Sequence, residues 1–381
     1  MPSVSALRLQ LPVAFEHVLL SPIEEQEGSE RDDAEGGAIS EGNKESIRLA
    51  RSLVENGATV LLNLLEVQSI GWRNQSMDRH FIKQRETADN ASEELARTWF
   101  WRMRKILGEI DQGLKYRAIP RSKLYFLDLG CSPGGFSSYI LGKNRRSIGC
   151  GISLPVAEGG HEFCLEDRLR SRYTLFSANI TYYALAPAAM NDARFFPLPA
   201  EVGSREFDLV LLDGHQLRTQ VGRLPWDRDR LLISQIIIAL QSVKAGGTII
   251  IKLPMPHKVI SAKIVHMFRL ISGIVQRYKP RTMHGNRGTF YLVAREVGTK
   301  EEAGLTKATY LRALRRVWTE LTFGGENGEG RFLKAKDLDF VVTTDALVEE
   351  HVDWLVGFGK PLWEVQEEFL RGLLTKVKAL S

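Results

Sequence analysis

Residues 124–141 read Leu124-Tyr125-Phe126-Leu127-Asp128-Leu129-Gly130-Cys131-Ser132-Pro133-Gly134-Gly135-Phe136-Ser137-Ser138-Tyr139-Ile140-Leu141. Leu124–Leu129 is an apolar run broken only by Asp128, the profile of a strand buried on both faces. Gly130 ends it, and Pro133, Gly134 and Gly135 lead into Phe136–Leu141, which reads as the first turns of a helix. Glycines here allow positive φ and close approach of a ligand to the main chain. A strand feeding a glycine-rich turn at a helix start presents free N–H groups to something polar or anionic. The bland alternative is an ordinary strand-to-helix turn, and the polar residues that end later strands argue against it.

The chain has 381 residues and a net charge of +5, and 44% of it is hydrophobic. That is enough for one large or two ordinary domains with a sizeable core. No apolar run approaches the ~20 residues that span a bilayer. Leu7–Leu20 is interrupted by Arg8, Gln10, Pro12, Glu16 and His17, so no secretory signal is read, and an intracellular protein, cytoplasmic or nuclear, is expected, with a weakly supported mitochondrial presequence as the alternative. Cys131, Cys150 and Cys164 show no CxxC spacing, which points to a reducing compartment and no metal site. The charge is uneven: residues 24–45 carry nine acids against Arg31 and Lys44, leaving the remainder strongly basic. A basic body suits a polyanionic partner, though solubility alone would also explain it.

Residues 24–45 read as a disordered linker with hardly an apolar residue to bury. Residues 46–68 have helical spacing, with Gly57 as a soft spot, and the helical character resumes over 90–112 behind a Ser92 cap. From 124 onward strands and helices alternate: strands at 147–152, 173–178, 207–212, 248–253, 274–278 and 289–295, and helices at 228–243 and 258–271. Such alternation predicts a mostly parallel sheet covered on both faces. Residues 299–381 read as helical, with helices at 308–322 and at 361–378, the second starting on Pro361. The expected organisation is an N-terminal segment 1–45, a helical region 46–119, an α/β domain 120–297 and a helical extension 298–381.

Three polar residues fall at or near the carboxyl ends of apolar strands, where open α/β sheets gather their reactive groups: Asp128, Asp213 and Lys252. A lysine inside Thr248-Ile249-Ile250-Ile251-Lys252-Leu253-Pro254 is costly unless paired, and Asp213 on a neighbouring strand is the expected partner. The stretches 128–137, 207–214 and 246–253 together resemble the FtsJ/RrmJ-type RNA ribose 2′-O-methyltransferases. The resemblance covers about residues 120–297. It implies a Rossmann-like class I methyltransferase with a seven-stranded sheet and one late antiparallel strand, binding S-adenosyl-L-methionine over the glycine turn and acting on RNA. The implied cofactor-binding residues are Asp128, Gly130, Ser132, Pro133, Gly134, Gly135, Phe136, Ser137, Ser153, Asn179 and Asp213. The implied catalytic residues are Lys252, Asp213 and, in place of the family's first lysine, Arg102, with Lys105 as its alternative.

Several positions depart from the family pattern. Thr289 stands where the tetrad Lys-Asp-Lys-Glu ends in Glu. Ser153 and Asn179 stand where acids usually grip the ribose and the adenine. Those replacements motivate a second reading, a methyltransferase-like module that keeps the fold without transfer. A nicotinamide-dependent dehydrogenase is disfavoured, because the chain lacks the G-x-G-x-x-G spacing, and no G-x-x-x-x-G-K-[ST] phosphate loop occurs. His161, in the excursion after the second strand, reads as loop structure, and Cys131 as a packing residue.

Overall fold

The computed structural model describes residues 41–380, apart from residues 73, 90, 91, 116, 121 and 300. Most of the expected acidic linker lies outside the described residues. Its last five residues, 41–45, belong instead to helix α1, Glu41–Glu55. Gly57, at a φ of 91°, separates α1 from α2, Thr59–Trp72, so the soft spot is a full break. Helices α3, Gln75–Asp89, and α4, Glu93–Gly113, come next, and the Ser92 hydroxyl accepts from the Leu95 N–H to cap α4. The sequence pattern does not mark α3, which is mostly polar.

The centre is a seven-stranded sheet in the order β3-β2-β1-β4-β5-β7-β6. Its strands are β1 Leu124–Leu129, β2 Ser147–Ser153, β3 Tyr173–Ser177, β4 Phe207–Leu212, β5 Val243–Pro254, β6 Ser272–Tyr278 and β7 Thr289–Val297. The first five run parallel, and β7 pairs antiparallel with both β5 and β6. Helix α5, Gly135–Lys143, follows β1; α6, Asp227–Ser242, precedes β5; and α7, Val259–Ile271, joins β5 to β6. β5 begins five residues before the expected Thr248, so Ala245–Gly247 lies within the strand.

Strand periodicity sends alternate residues to opposite faces. Leu124, Phe126, Leu209, Leu211, Ile250, Tyr291 and Val293 pack under α4 and α5. Leu127, Leu129, Val210, Leu212, Ile249 and Ile251 pack on the other side with α6 and α7, in one core that also takes in α1, α2 and the C-terminal helices. The expected extension therefore shares the sheet's own core. It contains α8, Glu301–Phe323, and α9, Val352–Leu380.

Pro361 lies inside α9, not at its start. A proline there leaves the carbonyl four residues back without its helical donor, and Arg277 Nη2 donates to that Gly357 carbonyl at 3.2 Å. Lys263 of α7 is wholly buried, its ammonium bonded to the Ala335 carbonyl at 3.0 Å and ion-paired with Asp339. Among the described residues no helix is long and apolar enough to cross a membrane.

Candidate active site

The turn after β1 is shaped by the main chain. Gly130 N–H donates to the Ile152 carbonyl at 2.8 Å, and Ser132 N–H to the Ser153 hydroxyl at 3.3 Å, tying the turn to the end of β2. Gly130 has a φ of 77°, and a Cβ there would lie 2.2 Å from Gly214 Cα. At Gly135 a Cβ would meet the Phe100 carbonyl of α4 at 2.4 Å. Gly134, left-handed at 102°, precedes α5, whose first N–H groups have no intrahelical acceptor. Beneath the turn, Ser137 Oγ donates to Asp128 Oδ2 at 2.7 Å, both residues being buried. Burial raises the Asp128 carboxyl to about 7, against the lowering effect of Ser137. Asp128 and Ser137 thus brace the turn from below.

The excursion after β2 folds back over this turn. Cys164 N–H donates to the Pro133 carbonyl at 2.9 Å, and the Phe163 ring, stacked on Tyr173 at 5.2 Å, covers Gly134. His161 lies 5.0 Å from the Trp99 ring, and burial lowers its pKa. Burial pushes the Cys131 thiol well up, which fits a packing role. Asn179 is buried, and its side-chain oxygen accepts from the N–H and hydroxyl of Thr181.

On the neighbouring strands, Asp213 and Lys252 meet. Lys252 Nζ lies 3.1 Å from Asp213 Oδ1 and 2.9 Å from the Asp213 carbonyl. Tyr291, opposite Lys252 in the β5–β7 register, donates its hydroxyl to the same Oδ1 at 2.8 Å. Both donors engage one carboxylate oxygen, and no protein group among the described residues is paired with Oδ2. Gly214 is held at both ends by the buried Gln235 of α6, which accepts from its N–H at 2.9 Å and donates to its carbonyl at 3.1 Å. His215 Nδ1 is 3.4 Å from Lys252 Nζ. Part of that residue reaches solvent, so the adjacent ammonium, rather than burial, is the cause to credit for holding its pKa well below the ordinary value.

Two side chains with no motif of their own therefore complete the site, Tyr291 and Gln235. Register with Lys252 would have singled out Tyr291 once the β5–β7 pairing was known. Gln235 carries no comparable signal.

Arg102 does not join this group. Phe100, Met103 and Arg104 present α4 to Gly135, and at 3.6 residues per turn Arg102 projects from the opposite side, exposed, as is Lys105. Arg104 is the basic residue that faces the turn, its Nε donating to Ser138 Oγ at 3.1 Å.

The model of the FtsJ-like methyltransferases matches residues 107–297, half of the chain. The chain belongs to that family. The matched stretch contains the glycine turn, Asp213, Lys252 and Tyr291, and begins after Arg102. Curated relatives include the cap-specific mRNA (nucleoside-2′-O-)-methyltransferase 1 of Danio rerio, 27% identical over 45% of this chain, and that of Bos taurus, 28% identical over 47%. A Caenorhabditis briggsae homologue, cap-specific mRNA (nucleoside-2′-O-)-methyltransferase 1A, is 22% identical over 60% of the chain. The matches span 21%, 22% and 26% of those relatives' own lengths, so each is much longer than the shared region. Among solved structures, a ribosomal RNA methyltransferase of Plasmodium falciparum aligns at 18% identity with a TM-score of 0.37, covering 52% of this chain and 98% of that one.

Proposed function

We propose that this protein transfers a methyl group from S-adenosyl-L-methionine to a ribose 2′-hydroxyl of RNA. The observation that carries the reading is the Lys252–Asp213 pair, joined at 3.1 Å at the carboxyl end of the sheet beside the glycine turn. The residues present fit the cofactor: the N–H groups of Gly135 and Phe136, at the start of α5 and without an intrahelical acceptor, suit a carboxylate, and the unengaged Asp213 Oδ2 suits a cationic sulfonium. Gly134–Phe136 and Asp213 would hold it, with Ser153 bordering the turn. When bound, it supplies an electrophilic methyl group. Lys252 would sit against the attacking hydroxyl, its nitrogen fixed by two acceptors, orienting that oxygen while its proton passes to water and the new carbon–oxygen bond replaces the methyl group's bond to sulfur. Such a positioned group contributes ~10²–10⁴ in rate. Exposed basic residues of α4 and α8, Arg102 and Lys105 with Arg312, are offered as phosphate contacts. The names of the similar proteins support RNA as the substrate class.

The test is mass spectrometry of RNA nucleosides after incubation with isotope-labelled cofactor, using wild type and Lys252→Ala. Labelled 2′-O-methylnucleosides should form with wild type and fall at least 100-fold with the variant, while calorimetry shows unchanged cofactor binding. A wild type that binds the cofactor yet labels no RNA would leave the fold serving as a binding module. Undiminished transfer by Lys252→Ala would place the chemistry elsewhere.

A further inference from the structure

The loop 279–288, between β6 and β7, is held from several directions. Lys279 Nζ donates to the Thr289 carbonyl at 2.6 Å and also to that of Arg287, closing the base of the loop. Glu109 of α4 accepts from the Arg281 N–H at 2.9 Å and from Thr282, and Gly285 lies against the Phe369 ring of α9. Within this clamp Met283 is left-handed, at a φ of 61°. A side-chain-bearing residue rarely adopts that conformation unless its surroundings impose it.

The next residue, His284, is 8% exposed. Its Nδ1 lies 3.3 Å from Thr289 Oγ1, and its ring centroid lies 5.9 Å from that of Tyr291, the residue that bonds Asp213 and faces Lys252 across the strands. Nε2 is buried and has no hydrogen-bond partner among the described residues. A buried ring nitrogen without a partner is costly, and native proteins rarely leave one that way without a use. Here it occurs in a braced loop, next to a strained residue, beside the pair to which the chemistry was assigned.

We infer that His284 is a substrate-binding residue of this site, its Nε2 accepting a hydrogen bond from a ribose hydroxyl of the target nucleotide while Thr289 fixes the ring. This rests on the transfer reaction proposed above. Burial holds the imidazole well below its ordinary pKa, and the charges of Lys252, Arg287 and Lys279 push the same way, so the ring stays neutral at pH 7. A neutral ring with Nδ1–H directed to Thr289 leaves a lone pair on Nε2. A hydroxyl fits this acceptor; an ammonium group would be repelled by the same cations.

The experiment uses the full chain and three proteins: wild type, His284→Leu, which removes the acceptor, and His284→Gln, which keeps one. Thermal melts and cofactor calorimetry establish that each variant folds and binds as wild type does. Expected are a fall of at least tenfold in kcat for His284→Leu and recovery to within about threefold for His284→Gln, with little change in cofactor affinity. Transfer by His284→Leu within twofold of wild type overturns the inference, and so does a folded His284→Gln as inactive as His284→Leu. A second measurement does not depend on turnover. The ¹³C-labelled His284 ring signal should shift when a short single-stranded oligoribonucleotide is added and stay put with its deoxy counterpart. Equal responses to the two overturn the inference even if wild type labels RNA. A wild type that labels no RNA, with the ribose-dependent shift present, overturns the transfer reading alone.

Discussion

The turn after β1 and the loop between β6 and β7 serve the same end of the sheet but are built in opposite ways. In the turn, glycine main chain packs directly on main chain, with Gly130 against Gly214 and Gly135 against the Phe100 carbonyl. In the loop, side chains reach over to fix the backbone: Lys279, Glu109 and the Phe369 ring. The first arrangement leaves no room for an added atom, so it writes itself into the sequence as glycine. The second asks only that some donor or ring arrive at the right place. It can be met by many residue types and leaves no pattern to read.

That contrast can be broken most forcefully at Gly130→Ala. The added methyl would sit 2.2 Å from Gly214 Cα at a φ of 77°, with backbone on both sides and nothing flexible to yield. A loss of ~3 kcal/mol or more in stability is expected, read by urea unfolding, together with loss of cofactor binding by calorimetry. An alanine variant as stable as wild type would mean that the β1 and β4 turns do not approach as described.

Asp128→Asn sharpens the same region through pH. The folded protein holds the Asp128 proton up to about 7, whereas the unfolded chain releases it near 3.8. Folded Asp128 therefore binds its proton more tightly, so its own contribution to stability is greatest at low pH and declines as pH rises from about 4 to about 7. The asparagine carries no charge and escapes that decline. It should gain ~2–4 kcal/mol over wild type at pH 8 and close to nothing at pH 4. An identical difference at both pH values would show that the carboxyl is not held protonated.

The smallest effect is expected on β7, just beyond the side-chain-built loop. Tyr291→Phe removes one hydrogen bond to Asp213 Oδ1 and leaves the Lys252 contact intact. The expected cost is ~1 kcal/mol in stability and a few-fold drop in kcat. A loss as large as that of Lys252→Ala would make the phenol a participant in the reaction rather than a support for the carboxylate.

Much of the site could be read because physics forced the residue type. A lysine within an apolar strand demanded a carboxylate, and Asp213 supplies it; Gly130 and Gly134 announced left-handed backbone. What escaped reading depended on orientation. Arg102 is basic and near the right place in the chain, but Phe100, Met103 and Arg104 claim the inward side of α4, a choice no spacing rule makes. His284 belongs to no motif, and what marks it is that β7 carries Thr289 beside it. Pro361 looked like a helix start because its disruption of α9 is compensated from a distant strand, by Arg277.

Lys263 has a consequence for how this chain can be divided. Its side chain is wholly buried, and among the described residues its ammonium is answered by the Ala335 carbonyl and by Asp339. A fragment cut just after β7 would strip both acceptors away. The smallest self-standing catalytic unit should therefore run past residue 339, and shorter versions should be recovered only with Lys263 replaced by an apolar residue such as methionine.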